Sequence, residues 1–245
     1  MARVHIGTSG WTYDGWRGPF YPEEVPKKDW LGHYGGRFST AEVNGSFYRT
    51  PSLDAVRAWR KQTPDGFVFA WKASKFITHW KRLSEKSDNS LDLMETRLRA
   101  LGAKCGPVLF QLPARFKMDC GRLEAFLKML SKRRRYAFEF RDASWYTDEV
   151  FDLLHRHEVA LCLSDHHDAP SPWVVTAKHV YVRGHGPGGC YKDHYTDATL
   201  RKWARDITKW KRGRREVFVY FDNDQKSAAP KDAERLKKMV EGKRG

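Results

Sequence analysis

The chain has 245 residues, 40% hydrophobic and 14% aromatic, which is enough apolar surface for a sizeable core in one globular domain over 1–245. Its four cysteines, Cys105, Cys120, Cys162 and Cys190, show neither C-x-x-C pairing nor zinc-ligand spacing and read as reduced, buried thiols. A net charge of +15 raises nucleic acid or another polyanion as a partner, while the lack of any apolar run of membrane-spanning length excludes a membrane helix and points to a soluble, cytoplasmic protein.

Val4 to Gly7 is the first of eight short apolar runs, and no signal core is expected before it. An aromatic-rich insertion follows, with Trp11, Tyr13, Trp16, Phe20 and Tyr21. The second run is Phe38 to Val43, after which Thr50, Pro51 and Ser52 open a helix with Leu53, Val56 and Trp59 on its apolar side. Phe67 to Trp71 precedes the stripe Leu91, Met94, Leu98 and Leu101. Pro107 to Leu112 precedes Leu123, Phe126, Leu127 and Leu130. Tyr136 to Phe140 is followed by Val150, Phe151 and Leu154 behind the cap Thr147. Ala160 to Leu163 and His179 to Val182 are separated only by the Pro-containing stretch His166 to Lys178, too short and broken for a full crossover helix. Leu200, Trp203, Ile207 and Trp210, capped by Asp197, then lead to Val217 to Phe221. Eight strands with intervening helices predict an α/β fold, a TIM-like (β/α)8 barrel with the helix between strands six and seven reduced or missing.

In such barrels the chemistry sits where the strands end. The polar residues there are Ser9, Glu42 with Asn44, Lys72, Gln111, Glu139 with Arg141, Asp165, Arg183 with His185, and Asp222 with Asp224. Residues two apart on a strand share a face, so each pair faces the mouth if its first member does, and Phe138, Phe140, Val180 and Val182 then pack under the outer helices. Lys72, Lys75, Lys81 and Arg82 follow the third strand without an acid among them, which supports an anionic ligand better than the total charge does. The densest basic runs, Lys132 to Arg135 and Lys211 to Arg215, precede strands and read as solvated charge on the opposite face. Gly184, Gly186, Gly188 and Gly189 suggest a mobile loop after the seventh strand whose backbone amides could receive a phosphate.

The chain resembles the YecE-like family, catalogued as domain of unknown function number seventy-two, over nearly its whole length. The resemblance rests on Gly7-Thr8-Ser9-Gly10-Trp11 with Trp16 and Phe20-Tyr21-Pro22, Glu42-Val43-Asn44 with Phe47-Tyr48-Arg49, and Lys72-Ala73 with Thr78-His79. It continues through Leu109-Phe110-Gln111-Leu112-Pro113, Glu139-Phe140-Arg141 with Ser144-Trp145, Tyr181-Val182-Arg183 with His185-Gly186, and Tyr220-Phe221-Asp222-Asn223-Asp224. It implies a TIM-like barrel and no particular reaction. Two positions depart from the family pattern: Asp222, where asparagine is usual, and Gly45, where small polar residues are usual.

The candidate catalytic residues are Glu139 as general acid or base, Asp165, Lys72 as phosphate ligand or amine of lowered pKa, and His185. Candidate substrate contacts are Glu42, Asn44, Tyr48, Gln111, Arg141, Arg183, Asn223, Asp224 and Trp11, with Lys72, Arg141 and Arg183 expected to hold an anion. Several have a structural alternative: Glu139 and Arg141 as a structural ion pair, Lys72 bridged to Glu42 or Glu139, Asp165 as a strand-end cap, His185 as a loop hydrogen-bonder, and Trp11, Trp16, Tyr48 and Trp145 as packing. The expected function is a hydrolase or lyase acting on a small anionic, sugar-like or nucleotide-like molecule with no cofactor and no bound metal. One alternative is a divalent-metal-dependent nuclease or isomerase using Glu42, Glu139, Asp165, His185 and Asp222, which the neighbouring cations disfavour. The other is a non-catalytic anion- or nucleic-acid-binding protein.

Overall fold

The structure, a computed structural model, describes residues 2–242; Met1 and the last three residues of the expected domain lie outside the described residues. Its strands are β1 (Val4–Thr8), β2 (Thr40–Val43), β3 (Val68–Lys72), β4 (Cys105–Gln111), β5 (Tyr136–Glu139), β6 (Ala160–Ser164), β7 (His179–Gly184) and β8 (Glu216–Phe221). All pairings are parallel, and the order β1-β8-β7-β6-β5-β4-β3-β2 places β8 back against β1. That is the sheet of a (β/α)8 barrel.

Closure is incomplete between β1 and β2. Among the described residues the two strands share one bridge, Ser9 with Glu42, and the Gly10 amide donates to the Glu42 carbonyl at 2.8 Å. The Tyr34 hydroxyl spans the rest of the seam, accepting from the Thr8 amide at 2.9 Å and donating to the Thr40 carbonyl at 3.0 Å. Gly7 has to be glycine here, because a Cβ would stand 2.2 Å from the Thr40 carbonyl oxygen.

Seven α-helices surround the sheet among the described residues: α1 (Trp30–Arg37), α2 (Leu53–Gln62), α3 (Asp88–Leu101), α4 (Cys120–Met129), α5 (Asp148–Arg156), α6 (Asp197–Arg212) and α7 (Ala228–Glu241). Ser52 caps α2 and Thr147 caps α5, as their side-chain chemistry predicts. At α6 the cap is Thr196 rather than Asp197; the Thr196 hydroxyl accepts from the Thr199 amide at 3.2 Å, and Asp197 is the first helical residue.

No helix joins β6 to β7. The connection instead satisfies the backbone of β6 itself, which pairs with β5 over only Ala137–Ala160 and Phe138–Leu161. Thr176 accepts from the Leu161 amide and donates to the Val159 carbonyl, both at 2.7 Å, and the Ser171 hydroxyl accepts from the Ser164 amide at 2.8 Å. Buried donors and acceptors that lack ladder partners find side chains instead.

Strand alternation divides the core. Phe138, Phe140, Val180 and Val182 lie in the outer cluster under the helices, whereas Ala70, Leu109, Ala137, Ala160, Cys162, Tyr181, Phe218 and Tyr220 fill the barrel. At the N-terminal end of the barrel, His5 stacks on Phe218 and bonds Glu216 at 2.8 Å, and Arg135 pairs with the same Glu216. Arg134 holds Glu95 through two bonds, so half of the basic run at 132–135 is paired rather than merely solvated. All four cysteines are free, but only Cys162 is buried; Cys190 is exposed, contrary to the expectation for buried thiols.

Candidate functional site

The inward parity of the strands brings Ser9, Glu42, Lys72, Gln111, Glu139, Ser164, Arg183 and Asp222 together at the C-terminal end of the barrel, with Arg141 and His185 one step further out. Arg183 is the hub. Its Nε donates to Glu42 at 3.1 Å, Nη1 to Glu139 at 2.9 Å and to His185 Nε2 at 3.0 Å, and Nη2 to Glu42 and Asp222, each at 2.9 Å. Tyr181 and Ser9 also donate to Glu42. All five guanidinium N–H groups are thus engaged and the side chain is fully buried. Burial disfavours its charge, yet Glu42, Glu139 and Asp222 hold Arg183 more firmly protonated than usual. No donor is left for a ligand, so the anion contact expected of Arg183 becomes a framing role.

Glu139 is shared between two cations. Oε1 takes Arg141 at 2.7 Å and the Ser164 hydroxyl at 3.1 Å, while Oε2 takes Arg183. Burial alone would raise its carboxyl; Arg141 and Arg183 instead hold it well below the usual carboxylate range. Glu139 therefore stays ionised near neutrality, which fits a charge-holder better than a general acid.

His185 Nε2 receives donors from Arg183 and Arg141, which makes it an acceptor and places the ring proton on Nδ1, 3.3 Å from Asp165. Asp165 also accepts from the His185 amide at 2.7 Å and from the Tyr195 hydroxyl. The Asp165 carboxylate and the His185 ring and amide are thus engaged with each other.

Capacity for a ligand resides in two other groups. Arg141 gives Nη2 to Glu139 and His185 and Nη1 to Tyr191 at 3.1 Å, but its buried Nε has no partner. Lys72 donates only to Asn44 Oδ1, at a long 3.3 Å, and lies 4.4 Å above the Phe47 ring. Of the three buried cations at the mouth, Lys72 alone has no carboxylate within 4.0 Å. Burial and the Arg183 charge bring its amine down to about 8, against the upward pull of Asp222, Glu42 and Glu139.

His79 sits edge-on to Phe47 and is lowered to about 4, first by burial and then by Lys72 and Arg141. It is a neutral imidazole in the field of the Lys72 ammonium. Gln111 lies at the same rim and donates to the Leu112 carbonyl at 2.9 Å, and half-buried Asp224 is raised by burial and by Asp222. Tyr48 stands at the edge, 67% exposed.

Two expected contacts lie elsewhere. Trp11 packs against Trp59 and Phe69 in the outer core, and Asn223 faces away from the mouth, donating to the Asp193 carbonyl at 2.7 Å and to Asp232 at 2.9 Å. Opposite parity to Asp222 and Asp224 is the reason for Asn223. Sequence reasoning missed Ser164, His79, Tyr191 and Tyr195 as parts of the site; of these, only Thr78-His79 stood inside a recognised stretch. The loop after β7 is tightly packed: at Gly189, with φ +69°, a Cβ would lie 2.4 Å from the Asp165 carbonyl oxygen and the His167 amide.

Of the residues in the metal alternative, Glu42, Glu139 and Asp222 converge on the Arg183 guanidinium, and Asp165 and His185 pair with each other. Among the described residues the side chains close enough to share a metal ion are His166, His167 and Asp168, outside that set. His166 Nδ1 already accepts the Asp168 amide.

Residues 5–245 match the family model described as Protein of unknown function DUF72. The chain belongs to this family. Among DUF72-like proteins, the UPF0759 protein YunF of Bacillus subtilis (strain 168) is 24% identical over 272 residues, covering 97% of this chain and 95% of its own. The UPF0759 protein YecE of Escherichia coli (strain K12) is 29% identical over 146 residues, 58% of this chain and 50% of its own. A crystal structure of a DUF72 protein from Thermotoga maritima superposes with a TM-score of 0.88 at 26% identity, covering 98% of this chain and all of that one. One from Enterococcus faecalis, at 18% identity, shares the fold with a TM-score of 0.83, covering 99% of this chain and 97% of that one.

In this DUF72 barrel the mouth can therefore do two things chemically. A closed cluster of Arg183, Glu42, Glu139 and Asp222 fixes positions and charge, while Lys72, bonded only to Asn44, and the Nε of Arg141, bonded to nothing, keep donors in hand.

Proposed function

We propose that the chain works as one barrel domain and is an enzyme, a hydrolase or lyase, that takes a small phosphorylated or otherwise anionic sugar-like or nucleotide-like molecule at the C-terminal mouth. The observation that carries this reading is the buried Lys72 amine, with no carboxylate within 4.0 Å and a pKa of about 8, at the same mouth as Arg141 with its unpartnered Nε. Structural ion pairs are closed, whereas these two cations have spare donors in a region that is costly for unpaired charge.

Protonated Lys72 and Arg141 grip the anionic oxygen, and Asn44, Gln111, Tyr48 and Asp224 border the remainder of the ligand. Its lowered pKa of about 8 lets the Lys72 amine shed its proton more readily than an ordinary lysine, and in that form it can accept a proton from the ligand with neutral His79 alongside. Glu139 holds Arg141 in place. Asp165 and His185 position the cluster from the far side.

Titration calorimetry with phosphate and sugar phosphates tests this. Lys72→Met and Arg141→Ala should each weaken anion binding by roughly 1–3 kcal/mol, the scale of a charge-assisted hydrogen bond. For the unaltered protein, affinity should fall as pH rises through about 8, where Lys72 loses its charge. Unchanged affinity in Arg141→Ala would reduce Arg141 to the structural pair with Glu139.

A further inference from the structure

The loops after β2 and β3 build an exposed surface that begins at Tyr48, on the border of the small-ligand mouth, and extends outward to Trp80. Phe47 stands over the mouth with Lys72 on its face, and Tyr48 meets it edge-on at 5.0 Å. Further out, the Lys75 amine lies 5.7 Å from the Tyr48 ring and 5.5 Å from the Trp80 ring. Tyr48 and Trp80 are 67% and 66% exposed, an unusual fate for large aromatic side chains, which normally bury.

The same loops are one-sided in charge. Residues 44–53 and 73–84 hold Arg49, Lys75, Lys81 and Arg82 and not one acid. Trp80 ends a π-turn, Phe76–Trp80, and Arg82 and Leu83 after it both adopt positive φ, 46° and 62°. Non-glycine residues pay for that conformation, so the turn presenting Trp80 is held against local preference.

We propose that Tyr48 and Trp80, with Lys75 between them, form a stacking platform for single-stranded nucleic acid running out of the barrel mouth. Flat rings receive bases of any identity, and cations interleaved with them follow the phosphates. A neutral sugar would also lie on such rings but has no use for four cations without an acid. Duplex bases are already stacked on each other and cannot reach the rings. The platform stands independently of turnover at Lys72.

Fluorescence anisotropy with an end-labelled thymidine 20-mer tests the proposal. Binding should weaken steeply between 50 and 200 mM salt, quench tryptophan fluorescence, and exceed that of an abasic 20-mer, inorganic polyphosphate and a duplex by about tenfold or more. Tyr48→Ala and Trp80→Ala should each cost about tenfold at unchanged melting temperature, and Trp80→Ala should spare phosphate binding measured by calorimetry. Replacing Lys132 and Arg133 by Ala should change little. Equal affinity for the abasic and thymidine oligomers, unchanged affinity in the Tyr48→Ala, Trp80→Ala double variant, or tryptophan quenching by a neutral glucose oligosaccharide in preference to the oligonucleotide would each overturn it. Loss of phosphate binding in Lys72→Met with retained 20-mer binding would separate the two sites.

Discussion

Asp222 bonds Arg183, lies 3.8 Å from His185 and pulls the Lys72 amine upward. With Glu42 and Glu139 it faces the three cations Lys72, Arg141 and Arg183. The Asp222→Asn variant should shift the charge of the mouth by one unit toward positive. Phosphate should then bind several-fold more tightly at pH 6, where Lys72 stays protonated, and the Lys72 amine should titrate below about 8. Calorimetry at pH 6 and lysine-resolved NMR titration would check both; unchanged phosphate affinity would mean that the anion is held outside the field of Asp222. At this scale the sequence was legible wherever parity applied, as for Glu42, Glu139, Arg183 and Asp222. It was silent on which donors remain free, because that depends on where five guanidinium N–H groups of Arg183 find their acceptors.

The seam between β1 and β2 depends on α1, which buries Trp30, Leu31 and Tyr34 against the barrel. Tyr34 of α1 supplies to Thr8 and Thr40 the hydrogen bonds that a strand ladder would otherwise make. Tyr34→Phe keeps the ring and removes those bonds, leaving a buried amide and a buried carbonyl unpaired. Urea denaturation should show a loss of roughly 1–3 kcal/mol, and hydrogen exchange should quicken at the Thr8 amide. A loss below about 0.5 kcal/mol would show that water takes over the seam. The missing helix between β6 and β7 was legible from the short Pro-containing connection. That Thr176 and Ser171 would take over the backbone of β6 was not, since side-chain reach across a strand edge leaves no periodicity.

For the molecule as a whole, buried histidines set an acid limit. His179 is 4% exposed and is lowered to about 4, chiefly by burial and by Arg135; His166 is lowered to about 3, chiefly by burial and by Arg141. Between those values and the ordinary 6.5 the unfolded chain binds protons that the folded one refuses, so stability falls as pH drops from about 6.5. His179 alone contributes a slope approaching ~1.4 kcal/mol per pH unit in its window. His179→Gln should flatten the decline of melting temperature between pH 6.5 and 4, and an unchanged profile would place the acid limit on the carboxylates instead. The amino-acid sequence alone determined the eight parallel strands, the inward and outward parity of their side chains, the missing sixth helix and the gathering of charge at one mouth, because all of these follow from local periodicity and connection length. Only the tertiary structure decided that Arg183 closes on three carboxylates while Lys72 and Arg141 keep spare donors, that Trp11 and Asn223 face away, and that Tyr48 and Trp80 stay in solvent. Those outcomes depend on distances between residues far apart in the chain, and hydrogen-bond donors and acceptors pair by proximity in space.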